Sequence, residues 1–202
     1  MSTKIALDGV GGQGVRVIAG VMGALLARMG KEVTVLFDYD SSVRGSMSDA
    51  FLIFDDEPIA NPVVEEADIM LKLADKGHLR ISGRTVVADL GLDVPGAEQI
   101  PFASLGSQLF GKELFGNMIA LGRLLRLASI DFNEAAIRES LPKRYVDDNV
   151  AAIRYGYELT DAEIARLAAA APPSRFEMNT AATAETHERT ISAGHGIAGG
   201  DR

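Results

Sequence analysis

The stretch "GVGGQG", Gly9 to Gly14, holds the residues most able to do chemistry in this sequence. Gly9, Gly11 and Gly14 follow the G-x-G-x-x-G spacing, with Gly12 an extra glycine. An apolar strand, Lys4 to Leu7, precedes the turn and a helical pattern follows it. A turn so placed aims backbone N–H groups at an anion, and the helix dipole favours negative charge there. Gly9 would allow the tight turn, Gly11 the close approach of a pyrophosphate, and Gly14 tight packing of helix against strand. A glycine turn needed only for packing is the competing interpretation. Gln13 brings an amide, both donor and acceptor, to the mouth of the turn. Arg16 follows one turn later. Asp38 and Asp40, some 25 positions on, are available to a ribose as in a nicotinamide site. Arg44, beside Gly45 in a polar loop, could grip a phosphate or carboxylate in two-point fashion, or form a surface or inter-subunit ion pair.

Other chemistry is sparse. His78, His187 and His195 are scattered and show no metal-ligand spacing. No G-x-S-x-G nucleophile turn occurs, and no catalytic residue is assigned. Asp55, Asp56 and Glu57 read as a solvated turn, and Asp147 and Asp148 as one exposed helix face. With no cysteine, the chain supplies neither a thiolate nucleophile nor thiolate ligands for an iron–sulfur cluster.

The bulk properties narrow the classes. A chain of 202 residues, 47% hydrophobic and 24% charged, makes one sizeable core. Net charge is −8 and the pI about 4.9, which argues against a nucleic-acid partner. The longest strongly apolar run, Val17 to Ala27, falls short of the roughly 20 residues of a membrane span. These features predict a cytoplasmic protein with no membrane span.

The elements that must hold the turn can be read from periodicity. Val15, Ile18, Met22, Leu25 and Met29 form one apolar helical face, ended by Gly30. Gly20 and Gly23 inside that helix imply that something packs close to it. Glu32–Phe37, "AFLIFDDEPI", "ADIMLKLA" and "RTVVADLG" read as strands, and "AEQIPFASLG" as a short strand entering a helix. The alternation predicts a Rossmann-like α/β fold, mostly parallel, with flanking helices and a helical C-terminal part. In "FGNMIALGRLLRLASI", Arg123 and Arg126 would form a thin polar stripe, and Asn117 would cap the helix or touch a ligand. Asp131 with Glu134, and Thr160 with Glu163, are candidate capping pairs. Val146, Val150, Ile153 and Tyr157 share a helix face. Residues 1–171 form the expected domain. Residues 172–202, without apolar periodicity, form a tail or an arm ordered by a partner.

Six segments occur in a telling order: "GVGGQG", "VRGSMSD" (Val43–Asp49), "DDEPI" (Asp55–Ile59), "ADIMLKL" (Ala67–Leu73), "FGNMIALGRL" (Phe115–Leu124) and "NVAAIRYGYEL" (Asn149–Leu159). Together they resemble the gamma subunit of 2-oxoacid:acceptor (ferredoxin-type) oxidoreductases, closest to the 2-oxoglutarate and aryl-glyoxylate branch. The resemblance spans residues 3 to 160. It departs at Ser46, where the family often has a second glycine after Arg-Gly.

The resemblance implies an enzyme complex that turns a 2-oxoacid and coenzyme A (CoA) into an acyl-CoA and carbon dioxide. It implies partners: thiamine-binding alpha- and beta-type subunits and a ferredoxin-like subunit. Thiamine diphosphate, Mg and the iron–sulfur clusters would sit on those partners, and this chain has no Gly-Asp-Gly segment of the thiamine-binding kind. Gly9, Gly11, Gly12, Gln13, Gly14, Arg44 and Asn117 would then face CoA or the subunit interface. Two other functions stay open at this point: a free-standing NAD(P)-binding oxidoreductase, and a purely structural interaction module.

Overall fold

The computed structural model describes residues 2–39, 47–74, 81–92 and 94–170. The chain order is β1 (Thr3–Asp8), α1 (Val15–Arg28), β2 (Glu32–Tyr39), β3 (Ser48–Asp55), β4 (Glu66–Lys72), β5 (Ser82–Asp89), β6 (Glu98–Ile100), α2 (Phe102–Phe110), α3 (Gly116–Leu127), α4 (Glu134–Ser140), α5 (Val146–Glu158) and α6 (Asp161–Ala170). A 3-10 turn at Glu113–Phe115 leads into α3. The tail after Ala170, and with it the expected domain boundary, lies outside the described residues. So do Arg44, Asp40 and the three histidines.

The six strands form one sheet in the order β2-β3-β1-β4-β5-β6. The pairs β1–β4, β4–β5 and β5–β6 are parallel. β3 runs against both of its neighbours, so every other strand points the same way. The sheet is mostly parallel, as the sequence predicts. What periodicity could not give is the insertion of β3 between β1 and β2.

The main core lies between one sheet face and the helices. Ile5 and Leu7 of β1, Leu52 of β3, Leu71 of β4 and Val87 of β5 meet Ile18, Met22 and Leu25 of α1 and Ile119 of α3. On the opposite face a smaller cluster of Ala6, Ala67 and Met70 packs with Phe51, Val64, Ile81 and Val86. β2 is the outer strand on its side, with Leu36 44% and Phe37 40% exposed.

Helix boundaries follow local chemistry. Gly30, at φ 81°, ends α1, with its N–H donated to Ala27 and that of Lys31 to Leu26. Gly23 is explained by contact: a Cβ there would come within 2.8 Å of Val35 Cγ2. Gly20 faces open space instead. Thr160 and Glu163 form the expected capping box, Thr160 N–H donating to Glu163 Oε2 at 2.9 Å and Glu163 N–H to Thr160 Oγ1 at 3.3 Å. α4 differs from expectation: Asn133, not Asp131, caps it, its side chain accepting from Ala136 N–H at 3.1 Å. Glu134 turns instead to Arg138 and Arg154.

The pair α3 and α5 builds the helical half. Phe115 meets Tyr145 at one end, and Arg126 meets Tyr157 at the other, so the two helices run in the same direction. Midway, a Cβ on Gly122 would overlap the Ile153 carbonyl oxygen, and one on Gly156 the Ile119 carbonyl oxygen. Reciprocal glycines let the backbones touch.

Arg123 does not belong to a polar stripe. It is 5% exposed, and its Nε and Nη2 donate to the two Glu98 carboxylate oxygens at 2.7 and 2.5 Å. Its Nη1 donates to the Leu159 carbonyl at 3.0 Å. This one guanidinium therefore ties α3 to the last strand and to the end of α5. Periodicity places a residue on a face but does not reveal a carboxylate arriving from 25 positions away.

Candidate functional site

The glycine turn sits at the carboxyl end of β1, stitched to both neighbouring strands. Ser48 N–H, opening β3, donates to the Gly9 carbonyl at 2.9 Å, and Val10 bridges Met47. Leu73 N–H, just past β4, donates to the Asp8 carbonyl at 2.8 Å. Gln13 completes the closure. Its Oε1 accepts from Val10 N–H at 2.8 Å, and its Nε2 donates to the Leu73 carbonyl at 2.7 Å. The amide therefore faces inward and locks the turn onto β4. Gln13 thereby shapes the turn that carries the site.

The glycines divide the work. A Cβ on Gly9 would stand 2.6 Å from Val15 Cγ2 and 3.1 Å from Gln13 Oε1, so that position must be bare. Gly12 and Gly14 adopt φ of 99° and 80°, which L side chains rarely tolerate. At Gly14 the close neighbour is not a strand but Asn117 of α3, whose side chain occupies the place of a Cβ. Asn117 lies within the first turn of α3 and is not its cap. Its amide makes no hydrogen bond among the described residues.

The outer side of the turn is rich in unpaired donors. Among the described residues, the N–H groups of Gly11, Gly12, Gly14 and Val15 meet no acceptor. Gly14 caps α1 without a side-chain bond, and the first turn of α1 carries no acidic residue. Such an end receives an anion. Arg16 is exposed beside it, its guanidinium 5.4 Å from the Phe37 ring centroid. Beneath the turn lie charges that sequence analysis does not single out. Asp8, 1% exposed, has Lys72 Nζ at 3.5 Å, and Asp49 at the start of β3 is likewise buried. Their signal was a charged residue at the end of an apolar run.

The neighbouring strand end carries another carboxylate. Asp89, the last residue of β5, stands near the backbone N–H groups of Phe102 and Ala103 at the start of α2, which draw its ionisation down. Burial nonetheless pushes its carboxyl up to about 6.

Of the residues the sequence picks out, the structure brings Gly9, Gly11, Gly12, Gln13, Gly14 and Asn117 together. β2 ends at Tyr39 and β3 begins at Ser48, both at this edge of the sheet. Among the described residues no group of His, Cys, Asp and Glu is placed to hold a metal ion, and no helix is long and apolar enough to cross a membrane. The strand order also bears on a nicotinamide site. β3 intervenes between β1 and β2, so Asp38 stands two strand spacings, roughly 10 Å, from the glycine strand. In a dinucleotide fold the acidic residue follows the strand directly beside the first.

Comparison with known proteins agrees with this architecture. Residues 4–159 match the sequence family described as pyruvate ferredoxin/flavodoxin oxidoreductase. The 2-oxoglutarate synthase subunit KorC of Methanocaldococcus jannaschii is 30% identical over 177 residues, covering 79% of this chain and 94% of that relative. The KorC subunit of Archaeoglobus fulgidus is 30% identical over 162 residues, covering 77% and 87%. The gamma subunit of a keto/oxoacid ferredoxin oxidoreductase from Geobacter sulfurreducens superposes with a TM-score of 0.62 at 23% identity, over 78% of this chain and 95% of that one. The 2-oxoglutarate:ferredoxin oxidoreductase of Magnetococcus marinus, solved with 2-oxoglutarate, coenzyme A and succinyl-CoA bound, has a TM-score of 0.62 at 18% identity, over 86% of this chain and 32% of that longer chain.

Proposed function

The chain belongs to the pyruvate ferredoxin/flavodoxin oxidoreductase family as a gamma-type subunit of a 2-oxoacid:acceptor oxidoreductase, and from that membership we propose that its glycine turn forms part of the CoA approach in such a complex. The complex would oxidatively decarboxylate a 2-oxoacid of the 2-oxoglutarate class. Carbon dioxide leaves, the acyl group passes to CoA, and two electrons go to the acceptor. Thiamine-binding alpha- and beta-type subunits and a ferredoxin-like subunit would supply that chemistry, leaving this chain inactive alone. A chain without cysteine offers no thiolate ligands to an iron–sulfur cluster, and it lacks the Gly-Asp-Gly segment for thiamine diphosphate. No step of the reaction is therefore assigned to its side chains.

One observation carries the proposal: four unpaired N–H groups ring the start of α1, next to an Asn117 amide with no partner among the described residues. A pyrophosphate needs such donors and no catalytic group. The inward-turned Gln13 holds them in register, and Arg44, in the connection from β2 to β3, would add a cation. The displaced position of Asp38 argues against NAD(P) as the occupant.

The test is purification of the tagged chain from its own cell, with co-purifying subunits identified by mass spectrometry. Acceptor reduction is then assayed with 2-oxoglutarate and varied CoA. Asn117→Ala is expected to raise the KM for CoA several-fold while kcat and assembly hold. An intact complex with unchanged CoA dependence would leave the turn a packing device. A colourless single chain that binds NAD(H) would end the proposal.

A further inference from the structure

Tyr145 is a second unusual position, apart from the glycine turn. It precedes α5 at φ 56° and ψ 40°, a left-handed conformation costly for a bulky side chain. Such strain persists where the surroundings over-determine it, often at ligand clamps. Its ring packs edge-on to Phe115, with centroids 5.9 Å apart. Two cations from different segments converge on its hydroxyl. Lys112 Nζ donates to Oη at 2.7 Å, and Arg144 Nη2 at 2.8 Å. The same cations lie 4.0 and 4.7 Å from the ring centroid.

A phenol oxygen accepts two hydrogen bonds, so both lone pairs are taken and the O–H proton is left for a further acceptor. Two positive charges thus share one neutral acceptor. Among the described residues neither Lys112 nor Arg144 has a carboxylate within ion-pair distance. The nearby Asp147 is drawn off to Arg138 at 2.7 Å. In a chain of net charge −8 this is an electrostatically unfinished spot. It offers a tyrosine O–H, the remaining lysine N–H groups and an arginine fork, with two charges to neutralise.

We propose that Lys112, Arg144 and the Tyr145 hydroxyl form a binding site for a phosphoryl group. A phosphomonoester at neutral pH carries close to two negative charges and three acceptor oxygens, which matches the donor set. A single carboxylate would leave one cation uncompensated. The phosphoryl group has two possible sources, the free ion and a phosphomonoester on a larger molecule. Phe115, which meets Tyr145, lies two residues before Asn117, so the site stands at the same end of α3 as the glycine turn.

The experiment is calorimetric titration of the full chain, alone or in the complex in which it is isolated. The probes are inorganic phosphate, adenosine 3′-monophosphate, adenosine and acetate. Saturable binding of phosphate or of the monophosphate, but not of adenosine, is expected. Lys112→Met and Arg144→Met should each weaken it about tenfold or more, and Arg144→Lys should recover part of the loss. Equal affinity for both phosphates assigns the free ion, and tighter monophosphate binding assigns the larger ligand. Either supports the site.

An optical readout keeps the test open should a variant unfold. The chain has four tyrosines and no tryptophan, so phenolate absorbance near 295 nm is uncluttered. The Lys112 ammonium and then the Arg144 guanidinium hold the Tyr145 phenol below the usual tyrosine range. Bound phosphate should raise that ionisation, and Tyr145→Phe should abolish the response. Acetate binding as well as phosphate would overturn the proposal in favour of a surface for acidic side chains. Absence of saturable binding, or indifference to both methionine variants, would overturn it outright.

Discussion

Replacing Gly156 by alanine puts the contact between α3 and α5 to a numerical test. The new Cβ would overlap the Ile119 carbonyl oxygen and stand 2.7 Å from its carbonyl carbon and 3.0 Å from its Cα. All three are backbone atoms, so no change of rotamer relieves the clash. Non-bonded carbons rest at about 3.5–4 Å, so the helices must part by roughly 1 Å. Alanine returns about 1 kcal/mol of helix propensity. Against that, overpacking costs about 1–3 kcal/mol, and parting also loosens Ile119 and Ile153, both fully buried. The expected net loss is about 2 kcal/mol. In a chain of this size that lowers Tm by about 4–8 °C. Gly20→Ala supplies the control, since a Cβ there meets nothing within 4 Å. It should stabilise by about 0.5–1 kcal/mol and raise Tm by about 1–4 °C. Thermal and urea unfolding followed by circular dichroism measure both. A Gly156→Ala chain as stable as the wild type, or a destabilised Gly20→Ala chain, would refute the reasoning that what the Cβ meets decides the sign.

Three further outcomes are expected. Asp89 holds its proton more tightly folded than unfolded, so its contribution is full below pH 3.8 and lost as pH rises to about 6. That displacement is worth about 3 kcal/mol, and the stability difference between wild type and Asp89→Asn should vary by that order between pH 4 and 7 in urea titrations. Arg123→Ala leaves Glu98 without its partner and should cost about 3–5 kcal/mol, whereas Arg123→Met with Glu98→Leu should cost far less by the same assay. Gln13→Ala removes both bonds that close the glycine turn; a loss of about 1–3 kcal/mol and faster amide exchange at Val10 are expected by hydrogen exchange.

Much of this was legible in the sequence because it rests on local chemistry. The glycine spacing, the stop at Gly30 and the Thr160–Glu163 box each need only a few neighbouring residues. What escaped depends on partners far along the chain. β3 pairs with β1 across more than 40 residues, and nothing in its alternation says whether it sits inside or outside β2. Arg123 looks like a solvated residue until Glu98 is brought to it. Gln13 shows its hold on β4 only once the Leu73 carbonyl, 60 positions on, takes its amide. Asn117 sits where a helix cap is expected, yet the preceding 3-10 turn carries it one step inside α3 and onto Gly14. The six family-like segments proved more telling, since their order reflects the whole fold.

The outer strand has a bearing on how the chain is handled. Among the described residues, β2 presents an eight-residue border of backbone donors and acceptors, with Leu36 and Phe37 half-exposed beside it. A border of that kind recruits further strands from any chain, including its own copies. Solubility of the isolated subunit should therefore fall with concentration faster than its net charge of −8 would lead one to expect, which light scattering across a dilution series would measure. A lysine at Leu36 should suppress the effect by placing charge on that border.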